Sequence, residues 1–341
     1  VGEDSATEPD RGDRAARYSN AEASRSRGSD ALRAAQMYYL QDLTMNAIAR
    51  ELRTSRSTVS RLLSTARETG LVEIQVNNPQ LRAPSLEHEI RRRFSVEAHV
   101  VPVSELVRDS EVLERVAIQA ARTIGPLVES DAVIGVAWGS TLSAVSQHLA
   151  RKLTHDTTVV QLNGAGNTQT TGIAYASEIL QRFGHAYGAR VEQFPVPAFF
   201  DHAETKTAMW AERSVRRILE LQERMTMAIF GVGSTNSGIP SHVYSGGYLD
   251  DADLLALNQE RVVGDVATMF FRADGSHRDL LINQRGTGPE LELLRRVPRR
   301  ICVVSGEAKL SGLRGALAAG LPTDLILDEA TARWLVQDEP R

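Results

Sequence analysis

From Ala98 to Leu327 short apolar runs alternate with stretches whose apolar residues recur at helical spacing, and this alternation restricts the fold more than any other feature. Residues 98–103, 132–136, 158–162, 227–232, 301–304 and 325–327 read as strands. Residues 110–124, 141–150, 173–183, 203–223 and 309–319 read as helices. Together they predict an open α/β sheet. No short-period repeat runs through the chain, which excludes a solenoid or a propeller. Cys302, the single cysteine, lies in a predicted strand and reads as a buried packing residue.

Ahead of this region lies a smaller pattern. Leu32, Ala35, Met37, Tyr39 and Leu40 form one apolar stripe, and Met45, Ile48, Ala49 and Leu52 form a second behind Thr44, whose hydroxyl suits an N-cap. After a tight connection through Arg53 and Thr54, Ser55 reads as the cap of a third helix with Val59, Leu62, Leu63 and Ala66 inward, and Gly70 ends it. Residues 71–76 alternate apolar and polar side chains as the wing strand of a winged helix would. The expected organisation is a disordered tail over 1–28, a small all-α, winged helix-turn-helix head over 29–79, and a large α/β domain over 80–341.

The charge pattern separates the two parts. Net charge is −4 over 341 residues, which excludes a protein coated in positive charge for indiscriminate nucleic-acid binding. Residues 44–67 carry five arginines against Glu51 alone, a local balance of +4. Ser55, Arg56, Ser57, Thr58, Ser60 and Arg61 stand at the start of the third helix, where a recognition helix enters the major groove. Arginine pairs bidentately with guanine, and small hydroxyls suit phosphate or close base contact. A three-helix protein-interaction module with a solvated polar face is the plainer alternative. No apolar run approaches the roughly 18 residues of a membrane span, and the expected location is the cytoplasm.

The large domain offers chemistry at its strand ends. The Gly135 to Thr141 stretch leaves a strand and enters a helix, so the backbone of Gly139 and the Ser140 and Thr141 hydroxyls can meet an anion or a sugar hydroxyl, which makes it the leading pocket candidate, with an ordinary capped turn as the plainer alternative. Asn163 and Gly164 end the next strand, where Asn suits a vicinal diol and Asn-Gly also suits a simple turn. The loop carrying Gly231 and Gly233 lacks dinucleotide spacing, and no cofactor is expected. Lys309, one of three lysines, begins a helix after a strand and reads as a phosphate or hydroxyl partner or as a solvated surface residue. Asp265 could accept from sugar hydroxyls beside a wall of Phe270 or Phe271, although Gly-Asp is a common turn and paired phenylalanines are common in cores. The histidines are scattered, no metal site is expected, and no nucleophile elbow occurs, so catalysis is not indicated.

Residues 45–52, 57–63 and 70–72 resemble the head of the SorC family of bacterial sugar-responsive regulators. Five stretches of the large domain are similar to that family's effector domain, in the same order: residues 138–141; residues 161–164; residues 231–233 with 246–249; residues 264–266 with Phe270 and Phe271; and Lys309 with residues 328–332. The resemblance implies a fold similar to sugar-phosphate isomerases and CoA-transferases, used for binding. It implies an effector-facing Lys309, operator DNA and a sugar, polyol or sugar-phosphate effector as partners, and a homotetramer or dimer. Ser305 stands where the family commonly has glycine, and Arg272 where it often has an acid, which adds a phosphate partner or a solvated side chain. The alternative is an isomerase-type or CoA-transferase-type enzyme carrying a DNA-binding head. Such an enzyme needs a carboxylate base or nucleophile, and only Asp201 and Asp265 lie near the favoured loops.

Overall fold

The structure, a computed structural model, describes residues 29–41, 43–72, 83–103, 107–170, 172–234 and 242–337. The expected tail over 1–28, the greater part of the expected wing strand and the residues around the expected boundary near 80 lie outside the described residues. The chain divides between Pro79 and Gln80 into two compact units.

The smaller unit packs α1 (residues 29–39), α2 (Met45–Glu51) and α3 (Arg56–Glu68) around a core of Ala31, Ala34, Ala35, Ile48, Val59, Leu63 and Ala66. Both expected caps form: Thr44 Oγ1 accepts from the Ala47 amide at 3.3 Å and Ser55 Oγ from the Thr58 amide at 3.1 Å. Between α2 and α3 the backbone turns through Arg53, which takes a left-handed φ of 49°.

The larger unit opens with α4 (Ala83–Phe94) and β1 (Glu97–Val101), followed by α5 (Asp109–Leu127), β2 (Val133–Val136), α6 (Ser140–Gln147), β3 (Thr158–Gln161), α7 (Ile173–Tyr187) and β4 (Arg190–Glu192). Next come α8 (Ala203–Trp210), α9 (Arg213–Glu223), β5 (Met227–Phe230), β6 (Gly233–Ser234), α10 (His242–Ser245), α11 (Asp251–Gln259), β7 (Val262–Val266) and β8 (Met269–Arg272). The unit ends with α12 (Leu291–Arg296), β9 (Arg299–Val304), α13 (Leu310–Ala318), β10 (Asp324–Asp328) and α14 (Glu329–Val336). Seven strands pair in the order β1-β10-β9-β5-β2-β3-β4, all parallel. Successive side chains of a strand point to opposite faces, and here both faces are covered. Met227, Ile229, Ile301 and Val303 therefore enter one core cluster, while Ala228, Phe230, Cys302 and Val304 enter the other. Burial pushes the Cys302 thiol up to about 12, as befits an inert packing residue.

The path of the chain through the sheet reverses once. From β2 it winds outward through β3 to β4, whereas from β5 it winds the other way through β9 to β10. β2 runs on into α6 and β5 into β6, and a crevice opens beyond the carboxyl ends of these two strands, where the winding direction reverses.

Two features differ from the sequence-based expectation. Residues 203–223, expected as one helix, form α8 and α9 with a break at Ala211 and Glu212. In an unbroken helix Trp210 would sit about 140° from Val215 at 100° per residue. The break lets Trp210 pack against Phe194 and Phe200 while Val215, Ile218 and Gln222 are buried on α9. A second sheet, β6-β7-β8, is antiparallel, and it puts Asp265 in a strand rather than in a Gly-Asp turn. Among the described residues no helix is long and apolar enough to cross a membrane.

The second sheet and α13 approach at backbone distance. A Cβ on Gly264 would lie 2.4 Å from the Gly233 carbonyl oxygen and 2.9 Å from Gly312 Cα. Gly264→Ala is therefore expected to destabilise the large unit by about 1–3 kcal/mol, read as a lowered urea midpoint with an unchanged slope.

Candidate ligand pocket and nucleic-acid helix

The outer face of α3 presents Arg56, Ser57, Ser60 and Arg61 to solvent, while Val59 and Leu63 are buried beneath. Ser55 is exposed but serves the cap, and its Oγ lies 2.8 Å from Ser57 Oγ and 2.9 Å from Thr58 Oγ1, which is half-buried. The helix thus offers two free-standing guanidinium groups and a hydroxyl cluster tied to its first turn.

In the larger unit, the crevice between β2 and β5 gathers Gly139, Ser140, Thr141, Asn163, Gly233, Asp265 and Lys309 around a niche of about 50 Å³. These residues come from the ends of β2 and β3, from the start of α6, from β6 and β7, and from the turn before α13. Gly139 adopts φ 149°, a conformation that favours glycine, and no side chain makes a cap hydrogen bond at the start of α6, whose first residues line the niche. Such amides, at the positive end of a helix dipole, suit an anion or an electron-rich hydroxyl.

Asp265 is the electrostatic centre. It is fully buried, and desolvation pushes its carboxyl up to about 6, against the pull of the Thr268 amide, Lys309 and the Tyr244 hydroxyl. Burial in turn lowers Lys309, with Asp265 opposing, and raises Tyr244. One carboxylate oxygen accepts from the Thr268 amide at 3.1 Å. That contact depends on the β7–β8 turn, where Ala267 and Thr268 both take positive φ, 48° and 66°, as a type I′ turn requires. Neither residue is suited to it, and the turn is held by its surroundings: Gly288 donates its amide to Thr268 Oγ1 at 3.2 Å. Among the described residues, the buried polar atoms without a hydrogen-bond partner include Asn163 Oδ1 and Asp265 Oδ1, both of which line the niche, together with Ser234 Oγ and the Tyr244 hydroxyl, which do not line it. Buried polar atoms are nearly always partnered, so a concentration of exceptions beside a niche is the mark of a site that a polar ligand completes.

Two expected site residues stand outside the lining. Gly164 is structural: its amide donates to Thr287 Oγ1 at 3.0 Å, and a Cβ there would lie 2.3 Å from the Val196 carbonyl oxygen. Phe271 is wholly buried in the core against Gly315, and Phe270 packs on Phe199 and Tyr244, so neither walls the niche. Arg272 is spent on Glu260 and Asp279, and Asp201 lies exposed outside the lining. Conversely, sequence reasoning assigned no role to Tyr244 or Thr268 and no contact to the Trp138 ring. Trp138 Nε1 donates to the Asn163 and Gly164 carbonyls at 3.2 and 2.9 Å, and its ring stacks on Tyr248 at 5.2 Å. It therefore fixes the backbone that carries the Asn163 amide.

Comparison with known proteins decides the lineage. The family described as "Putative sugar-binding domain" matches residues 78–337. The deoxyribonucleoside regulator of Bacillus subtilis (strain 168) is 33% identical over 310 residues, covering 90% of this chain and 97% of the relative. Full-length SorC, the sorbitol operon regulator of Klebsiella pneumoniae, superposes with a TM-score of 0.74 at 25% identity, covering 90% of this chain and 98% of that one. The chain belongs to the SorC family. A domain of a "possible sugar-binding transcriptional regulator" from Arthrobacter aurescens TC1 is 68% identical, with a TM-score of 0.72 over 76% of this chain and 99% of that one. Relatives of this SorC-family chain are named as transcriptional regulators, and its parallel α/β unit is the fold expected of the family.

The Asp265 environment has a stability consequence of definite sign. In the open chain the carboxyl ionises near 3.8 and in the folded chain near 6, so the penalty for burying the charge is absent below pH 4 and complete above pH 6. Asp265→Asn is expected to stabilise the protein by up to about 3 kcal/mol at pH 7.5, with the gain vanishing at pH 4, in paired denaturant titrations.

Proposed function

We propose that this transcriptional regulator reads operator DNA with α3 and that a polyhydroxylated effector, a sugar, polyol or sugar phosphate, binds at the niche and sets operator affinity. One observation carries the effector assignment: two buried acceptors without hydrogen-bond partners, Asn163 Oδ1 and Asp265 Oδ1, line a cavity that is also lined by Lys309 and the start of α6. Asp265 Oδ1 and Asn163 Oδ1 are acceptors that call for donors, which hydroxyl groups supply. Lys309 and the start of α6 serve an electron-rich or phosphorylated end. The names of relatives, a deoxyribonucleoside regulator and a sorbitol operon regulator, belong to the same range of chemistry.

On this reading Arg56 and Arg61 contact base edges or phosphates, and Ser57 and Ser60 the backbone of the duplex. Control follows from linkage. An effector that binds one arrangement of an oligomer more tightly shifts the population toward it, and with it the presentation of paired heads to two half-sites. Two joined heads gain over one through effective concentration.

Two measurements test the reading. Arg56→Ala and Arg61→Ala are each expected to weaken binding to the protein's own promoter fragment by about tenfold without lowering the melting temperature, and binding by the parent should fall steeply as salt rises. In a thermal-shift panel of sugars, polyols and their phosphates, at least one compound should raise the melting temperature of the parent but not of Lys309→Ala. That compound must change operator affinity by the same factor by which operator DNA changes its own affinity; unequal factors would break the linkage.

A further inference from the structure

Beside the niche lies a far larger chamber of about 740 Å³, beyond the carboxyl ends of β1, β9 and β10. The two spaces share Ser140, Thr141 and Lys309 as a common boundary. Their chemistry differs. In the niche, buried polar atoms lack partners. On the chamber side the buried carboxylate is already satisfied: Asp328 accepts from the Gly306 amide at 3.0 Å, the Thr331 amide at 2.9 Å and the Thr331 hydroxyl at 2.6 Å. One wall is apolar, made of Val103, Val112, Leu113 and Ala330 with the half-buried indole of Trp334, while Asp109, Glu307 and Gln337 stand at exposed positions of the lining.

Size separates the two roles further. A niche of about 50 Å³ admits a hydroxyl group or a few waters, since one water needs roughly 10–15 Å³ of such space. The chamber falls in the roughly 300–1,000 Å³ range of pockets that enclose a whole small ligand. An occupant bridging them has a hydroxylated end for the niche and a body with an apolar face for the Trp334 wall of the chamber. An indole on the wall favours a planar body, because aromatic faces stack.

Resting on the effector reading above, we propose that the effector is a sugar unit joined to a planar ring, with the ring held against Trp334 in the chamber and the sugar hydroxyls reaching Asp265 and Asn163. Nucleosides and aryl glycosides share this chemistry. The position of the ring makes Trp334 and Ala330 specificity-determining residues, remote from the niche.

The test uses the full-length chain and calorimetric titration with matched pairs: 2-deoxyribose beside thymidine, and glucose beside phenyl β-glucoside. In at least one pair the ring-bearing member is expected to bind at least about tenfold tighter than the free sugar, as stacking on an aromatic side chain supplies. Tightening with thymidine alone assigns a nucleoside, with the glucoside alone an aryl glycoside, and with both a general ring site. Ala330→Trp fills the chamber and should remove the gain while leaving free-sugar affinity unchanged. Trp334→Ala should reduce the gain by about tenfold, and it carries the test should Ala330→Trp fail to melt cooperatively. The inference is overturned if free sugars bind and the ring adds nothing, or if both variants leave the gain intact, and in those cases the niche reading survives. If no member of either pair binds and no compound of the thermal-shift panel does, both readings fall together.

Discussion

A parallel sheet buried on both faces leaves its chemistry one place to go. Backbone hydrogen bonds and two apolar cores consume the strands, so polar function collects where strands end and helices begin. In this chain the winding direction reverses between β2 and β5, and the start of α6 and the loop after β5 line one niche there. Everything assigned to the ligand follows from that reversal. Asn163 arrives from the neighbouring strand, Lys309 from the turn before α13, and Asp265 from a small antiparallel sheet set over the crevice.

The same region is where local structure is least comfortable. A carboxyl with no exposure to water, a two-residue turn of Ala267 and Thr268 at positive φ, and buried polar atoms without partners each oppose folding. They persist because the surrounding sheet is over-determined: the glycine contacts between β6, β7 and α13 leave no room for the turn to relax. Preorganisation of this sort trades stability for a site already shaped before its ligand arrives.

How much of this was legible in the sequence depended on whether the signal was local. Thr44 and Ser55 announced their helices because a cap needs a hydroxyl at one fixed position, and both hydroxyls take their expected amides. Six strands of the large sheet were visible as apolar runs because burial on both faces leaves them no polar side, whereas the edge strand β4, Arg190–Glu192, is not buried and carries no such run. The β7–β8 hairpin was not, since Ala267 and Thr268 replace the Asn-Gly or Asp-Gly that normally marks such a turn. The break in residues 203–223 carries no glycine or proline; only the tertiary position of Trp210 requires it. Within the candidate site, Asn163 and Lys309 stand out by residue type after a strand, whereas Asp265 was legible only as a Gly-Asp pair and lies inside a strand; Phe271 and Gly164 do not line the niche, because a core aromatic and a close-approach glycine look the same in one dimension as a pocket wall and a ligand loop.

The placement of indole rings has its own consequence. Of three tryptophans in the chain, Trp138 borders the small cavity and Trp334 the large one, while Trp210 packs against Phe194 and Phe200. Intrinsic emission from this protein is therefore weighted toward the two spaces where a small molecule would settle. The chain carries an optical reporter of its own occupancy, one fluorophore for each compartment, with no label attached.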